Sequence, residues 1–182
     1  MRLVVQIPCY NEELLLAKTI KSIPKNITGI SEIITILIDD GSNDNSVEIA
    51  KKEGVKHIFK HKKNLGLAKT FMTGINESIK LNADIIVNLD ADNQYNANDI
   101  NLLVKPILDN SHEIVIGTRP IEEIKNFSYV KKKLQKIGSF VVRKISGTNI
   151  LDVTSGFRAI SKKAALQLIV FNNFTYTLET II

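Results

Sequence analysis

The chain has a single cysteine, Cys9, among 182 residues, so no disulfide framework can form within it, and a cytoplasmic setting is the expectation. No His or other base stands beside Cys9 in sequence, which makes it a small packed side chain rather than a nucleophile. Long hydrophobic runs are missing too. The longest, Ile33 to Ile38, contains a Thr and is far below the ~20 residues of a membrane-crossing helix. Met1-Arg2 leads straight into Leu3-Val4-Val5-Gln6-Ile7, which is too short for a signal-peptide core and has no cleavage site, so it reads as a first strand. There is no internal repeat, no low-complexity tract, and no Gly-rich phosphate loop followed by Lys, which weakens a nucleotidyltransferase reading.

What is present is the composition of a folded domain. Hydrophobic residues make up 44% and charged residues 24%, and this length suits one domain with a sizeable core. The net charge of +5 is unevenly spread. Lys51, Lys52, Lys56, Lys60, Lys62 and Lys63 form one basic run, read as a solvated face because no nucleic-acid motif or aromatic interleaving accompanies it. Nucleic acid is therefore not an expected partner. A second run contains Lys125, Lys131, Lys132, Lys133, Lys136, Arg143 and Lys144, and within it Val130, Leu134, Ile137, Val141 and Ile145 recur at helical spacing. This predicts a basic amphipathic helix, packed on the core or lying near an anionic membrane surface or acceptor.

Short apolar runs alternate with helix-length segments. Strands are expected at Leu3 to Ile7, Ile33 to Ile38, His57 to Phe59, Ile85 to Leu89 and Glu113 to Ile116, with helices near Glu12 to Ser22, Ser46 to Glu53, Gly66 to Lys80 and Ile100 to Leu108. Such alternation predicts an α/β fold with a largely parallel, Rossmann-like sheet covered on both faces. Any subdivision falls near Gly117 to Pro120: residues 1–117 form one part of a single domain and 118–182 the other.

The strand ends carry the chemistry. Asp90-Ala91-Asp92-Asn93-Gln94 follows the apolar run 85–89, placing two carboxylates where a buried strand meets the surface. Carboxylates and amide oxygens are hard donors suited to Mg²⁺ or Mn²⁺ bound to a diphosphate, although Asp and Asn are also common turn formers. The other strands end in Pro8-Cys9-Tyr10-Asn11-Glu12-Glu13, Asp39-Asp40-Gly41-Ser42-Asn43-Asp44 and Gly117-Thr118-Arg119. Asp39 or Asp40 could accept hydrogen bonds from a nucleobase or ribose, while Ser42, Asn43 or Asp44 would cap the next helix. Asn64-Leu65-Gly66 precedes a helix whose N-terminal amides could face an anion.

These motifs, with Asp152-Val153-Thr154-Ser155-Gly156-Phe157-Arg158-Ala159, together resemble the ordered motifs of family 2 nucleotide-sugar glycosyltransferases. The chain is most similar to the dolichyl-phosphate mannosyltransferase and polyprenyl-phosphate glycosyltransferase group. The resemblance implies a GT-A fold and metal-dependent, inverting transfer from a UDP- or GDP-sugar. It implies that Pro8, Tyr10, Glu12 and Asp39 frame the nucleotide with Asp40 nearby, and that Asp90 faces the ribose and diphosphate. Asp92 and Gln94, with Asp90, would hold Mg²⁺ or Mn²⁺. Arg119 is the candidate clamp for phosphate. Ser155, Arg158, Lys131 and Lys132 would meet the acceptor.

The acceptor decides how much catalysis is needed. A polyprenyl phosphate is already ionised and needs positioning and cations, whereas a saccharide hydroxyl needs a base; Asp152 or Glu179 would then be the carboxylate. The expected place of action with a lipid acceptor is the inner, cytoplasmic face of a membrane. The chain departs from the family pattern at Ala97, where many relatives have Pro, and at Lys131, Lys132 and Lys133, where arginines are usual. Relatives continue beyond the position of Ile182, so the acceptor side is expected to be incomplete. A non-catalytic nucleotide-sugar-binding module is the alternative from another class.

Overall fold

A computed structural model describes residues 1–118, 142, 144, 146–148, 150–172 and 174–181. Its strands are β1 (Arg2–Cys9), β2 (Glu32–Asp39), β3 (His57–Lys60), β4 (Ile85–Asn88), β5 (Ile114–Ile116) and β6 (Arg158–Ser161). Its helices are α1 (Leu16–Ser22), α2 (Ser46–Lys52), α3 (Leu67–Lys80), α4 (Ile100–Leu108) and α5 (Lys162–Ala165). The strands form one sheet in the order β3-β2-β1-β4-β6-β5. β1 pairs in parallel with β2 and β4, β2 pairs in parallel with β3, and β6 runs antiparallel to both β4 and β5. The largely parallel α/β sheet expected from the alternation is present.

Both faces of the sheet are covered, which is why β1 is apolar almost throughout. Leu3, Val5, Ile7, Leu37, Ile85 and Val87 point to the face packed by α1, α2 and α4. Val4, Ile36, Ile38 and Ile86 point to the other, against Phe71 and Ile75 of α3. Alternate residues of a strand thus serve two cores. α3 turns Ala68, Phe71, Gly74, Ile75 and Ser78 inward at helical spacing.

Three local differences from the sequence reading have physical causes. The first helix begins at Leu16, not Glu12, because the amides of Leu15 and Leu16 both turn back onto the Glu12 carbonyl after Asn11 takes a left-handed φ of 56°. None of the three candidate caps occupies the N-cap of α2, which is Asn45; Asp44, one residue earlier, accepts from Ser46 N at 3.0 Å through Oδ1, while Ser42 Oγ accepts from Asn11 N. The strand β6 was not anticipated. Four residues opening with an arginine give no period, and they lie beyond the subdivision expected near Gly117 to Pro120. β6 nevertheless enters the sheet between β4 and β5, so residues from beyond position 117 help to complete it. The expected basic helix over 130–145 falls largely outside the described residues. Among those described, no helix is long and apolar enough to cross a membrane.

Candidate functional site

The chain runs from β1 outward through β2 to β3 and then returns to place β4 on the other side of β1. In open α/β sheets such a switch point leaves a crevice at the carboxyl ends of the two diverging strands. A pocket of about 390 Å³ lies there, lined by residues at or just beyond the ends of β1 (Pro8, Cys9, Tyr10, Glu12), β2 (Asp40) and β4 (Asp90, Ala91, Asp92). The first turn of α3 closes it with Gly66, Leu67 and Thr70. A larger cavity, about 710 Å³, opens at the opposite ends of β2 and β3, around Glu32, Ile33 and His57. It gathers none of the strand-end motifs, so the smaller pocket is the candidate site.

The pocket brings together six residues singled out in the sequence: Pro8, Tyr10, Glu12, Asp40, Asp90 and Asp92. Tyr10 is 45% exposed. Burial first, then the nearby Asp92 and Asp44 carboxylates, hold the Glu12 carboxyl above its ordinary pKa. Asp92 Oδ1 accepts from the Gln94 amide at 3.1 Å, which sets the turn after β4, and Gln94 itself is exposed outside the lining. Cys9 is the packed side chain expected, with burial pushing its thiol up to about 11.

The two carboxylates at the end of β2 have different surroundings. Asp40 Oδ1 accepts from His61 Nδ1 at 2.7 Å and from Leu65 N at 2.9 Å, and its Oδ2 accepts from Gly66 N at 2.9 Å. It therefore fastens the loop entering α3, and His61 is braced in turn by Thr73 Oγ1 at 3.0 Å from Nε2. Gly41 makes that loop's approach possible: its φ is +80°, and a Cβ there would stand 2.8 Å from the Lys63 carbonyl carbon. Asp39 is fully buried; its Oδ1 accepts from Ser42 N, while Oδ2 has no hydrogen-bond partner and only the Lys60 ammonium at 3.4 Å. A buried acceptor without a donor is costly unless something supplies one.

The residues expected to meet an acceptor are arranged differently. Arg158, Ser155 and Asp152 are all fully buried. Arg158 donates to the carbonyls of Ser155 (2.8 Å), Thr177 (2.9 Å) and Val153 (3.2 Å), and also to Thr180 Oγ1. Burial pulls its pKa down, opposed by Tyr176, Tyr95, Asp90 and Asp152. In this arrangement the guanidinium is an internal strut joining the 152–156 loop to the 176–180 segment, not a surface group facing an incoming anion. Asp152 Oδ1 accepts from Thr154 N and Thr154 Oγ1. Glu179, the other carboxylate considered as a base, accepts from the amides of Phe171 (2.8 Å) and Asn172 (3.0 Å) and so caps a loop. Arg119, Lys131 and Lys132 lie outside the described residues.

Sequence reasoning missed Asn88 and Tyr95, and for Tyr176 it missed the role of the hydroxyl. Asn88 is a fully buried amide ending an otherwise apolar strand, and that anomaly was the available signal. Tyr95 and Tyr176 gave none, because nothing local shows that their hydroxyls converge on residues 155 and 156.

The lining is suited to a hard cation shared with a substrate. Asp90 and Asp92 offer oxygen donors, yet among the described residues no three His, Cys, Asp or Glu side chains cluster so as to hold a metal unaided. Mg²⁺ usually takes one or two carboxylates and completes its shell with water and phosphate oxygens, so the residues present fit a cation that arrives with a diphosphate.

A family model described as glycosyl transferase family 2 matches residues 4–169. The chain is 35% identical over 177 residues to UDP-N-acetylglucosamine-dolichyl-phosphate N-acetylglucosaminyltransferase of Methanococcus voltae, covering 87% of this chain and 68% of that one. It is 29% identical to dolichol-phosphate mannosyltransferase of Pyrococcus furiosus, covering 90% of this chain and 47% of that one. Among solved structures, glucosyl-3-phosphoglycerate synthase of Mycobacterium tuberculosis, crystallised with Mn²⁺, UDP and glucosyl-3-phosphoglycerate, shares the fold with a TM-score of 0.68 at 18% identity. That likeness covers 89% of this chain and 57% of the synthase. The chain belongs to glycosyl transferase family 2 and has the GT-A fold of its members.

Proposed function

We propose that this domain transfers a sugar from a UDP- or GDP-sugar to a polyprenyl phosphate, working at the cytoplasmic face of a membrane. The observation that carries the reading is the convergence of Pro8, Tyr10, Glu12, Asp40, Asp90 and Asp92 from three strand ends in one pocket at the switch point. Pro8 and Tyr10 offer a flat apolar edge to a base. Asp39 stands buried behind the lining, its Oδ2 near only the Lys60 ammonium, and would accept from a base imide or ribose hydroxyl that reached it. Asp40 works through the loop it fastens.

Asp90, Asp92 and Gln94 are the residues that would hold Mg²⁺ or Mn²⁺, whose charge would stabilise the departing nucleoside diphosphate. Arg119 would add a bidentate cation on the same phosphates. On the acceptor side, Lys131 and Lys132 would face the anionic headgroup, and Ser155, Arg158 and Asp152 would build the wall behind it. Residues 1–117 thus hold the donor and 118–182 the acceptor.

The named activities of the dolichyl-phosphate relatives favour a lipid phosphate over a saccharide hydroxyl. So does the engagement of Glu179, since a hydroxyl acceptor needs a free base and this carboxylate already takes two backbone amides. An ionised phosphate attacks without one. Calorimetric titration with UDP- and GDP-sugars, with Mn²⁺ and then with EDTA, tests the donor half. Metal-dependent binding of one nucleotide class is expected, and binding of neither overturns it. Transfer to a short-chain polyprenyl phosphate should fall severalfold when Lys131 and Lys132 become Gln; unchanged acceptor use removes the lipid-phosphate assignment.

A further inference from the structure

The chain between β3 and α3 is tied to the fold at few points. Lys62, Lys63, Asn64 and Leu65 are exposed, and among the described residues the one hydrogen bond these four make runs from Leu65 N to Asp40 Oδ1, at 2.9 Å. Gly66 N follows it onto Asp40 Oδ2, also at 2.9 Å. Yet this loop forms part of the switch-point pocket: Asn64, Gly66 and Leu67 line it together with Pro8 and Tyr10. What holds Asp40 therefore holds that wall.

Outside Leu65 and Gly66, the one hydrogen-bond partner of the Asp40 carboxylate among the described residues is His61 Nδ1, at 2.7 Å. A carboxylate only accepts, so Nδ1 carries the hydrogen, and Nε2 is left to the Thr73 hydroxyl at 3.0 Å. Only 12% of the His61 side chain and 5% of that of Asp40 are exposed, so water competes poorly for the bond between them. His61 is itself anchored independently of the loop. Its backbone N donates to the Asp39 carbonyl at 2.8 Å, one residue beyond the parallel pairing of β2 with β3. Its ring reaches the body of α3 through Thr73. The imidazole is thus the link by which the Asp40 carboxylate is fixed to β3 and α3 as well as to the loop.

We propose that His61 and Thr73 are positioning residues for the base of the donor, fixing Asp40 and through it the 62–66 loop as a preformed wall of the pocket. The inference deepens the proposed donor site and rests on that reading for its consequence in binding. Two loop amides and one carboxylate can shift together without breaking a bond between them. A third bond, to a ring anchored on β3 and α3, limits that freedom. A base entering beside Pro8 and Tyr10 then meets a wall already in place, and binding does not have to order it.

His61→Gln and His61→Asn separate the two ring nitrogens, because the Gln amide reaches the place of Nε2 and the Asn amide that of Nδ1. Two readouts are taken: hydrogen exchange of the Leu65 and Gly66 amides by NMR without ligand, and the affinity for UDP or GDP with Mn²⁺ by calorimetry. His61→Gln is expected to speed exchange severalfold at those two amides while the amides pairing β1 with β2 keep their rates. It should also lose about three- to tenfold in nucleotide affinity, the scale of one hydrogen bond. His61→Asn restores a donor to Asp40 and should recover most of both losses, which a general loosening of the fold would not allow. Thr73→Val deletes the hydroxyl alone and should move both readouts as His61→Gln does, by less; if His61→Gln does not fold, Thr73→Val decides on the same two amides. Unchanged exchange in folded His61→Gln, or an equal loss in His61→Asn, overturns the proposal. Faster exchange with unchanged nucleotide affinity overturns the positioning of the base. Faster exchange in a chain whose parent binds neither nucleotide upholds the hold on the loop and overturns the donor-site reading instead.

Discussion

The rim of the switch-point pocket and the stretch 152–158 both place charged side chains beside strand ends, yet the charges have opposite fates. On the rim, Glu12, Asp90 and Asp92 are only partly buried and line open space. In the 152–158 stretch, Asp152, Ser155 and Arg158 are all fully buried, and Arg158 has its donors taken up by Val153, Ser155, Thr177 and Thr180. A charge at a strand end is available for ligands when the fold leaves it on the wall of a pocket. When backbone carbonyls converge on it, the same charge becomes architecture.

The comparison predicts opposite phenotypes. Arg158→Ala should be the most damaging change, because it strands several buried carbonyls and removes the strut between two segments. A loss of about 3 kcal/mol or more in chemical denaturation is expected. A stable Arg158→Ala protein with defective acceptor use alone would erase the distinction between the two regions. Gly156→Ala comes next. Its methyl group would collide with the Asp90 carboxylate, costing about 1–3 kcal/mol as overpacking and more than tenfold in metal-dependent donor binding as Asp90 is displaced. Asp92→Asn sits at the other end of the stability scale, within about 0.5 kcal/mol of the parent, because the amide oxygen can still accept from Gln94 N. It should nonetheless abolish metal-dependent donor binding in the calorimeter, and unchanged binding would move the cation elsewhere.

The same contrast explains what could be read from the sequence. Strand-end motifs after 85–89 and after β1 and β2 were legible because apolar runs fix where a strand surfaces, and parallel pairing brings those ends to one edge. The role of Arg158 was not, since a guanidinium looks the same in sequence whether it faces a phosphate or four partners from residues 153 to 180. The strand it opens was missed for the same reason: β6 is short, begins with that charge, and is a strand only because β4 and β5 leave a gap for it. Glu179 likewise looked like a base until the amides of Phe171 and Asn172 were seen to occupy it. Asp40 was partly legible, as a group near the nucleotide, but its hold on Leu65 and Gly66 depends on a loop closure no local pattern encodes.

The smallest predicted effect concerns Glu12, where the rim's openness can be measured by pH. Burial and the Asp92 and Asp44 carboxylates raise its pKa in the folded chain, so the folded state binds its proton more tightly than the unfolded state does. The associated stability is complete below the unfolded value, about 4.3, and is lost as pH rises through the higher folded value. Glu12→Gln removes this titration. It should flatten the acid-side dependence of melting temperature and leave the midpoint at pH 7 equal to or slightly above the parent. A cation added with UDP or GDP should flatten the parent's profile in the same way, because positive charge in the rim offsets the repulsion that raises Glu12. If Mn²⁺ with nucleotide leaves the slope of the parent unchanged, Glu12 and Asp92 do not share the field of one site, and the rim is as architectural as the region it is set against.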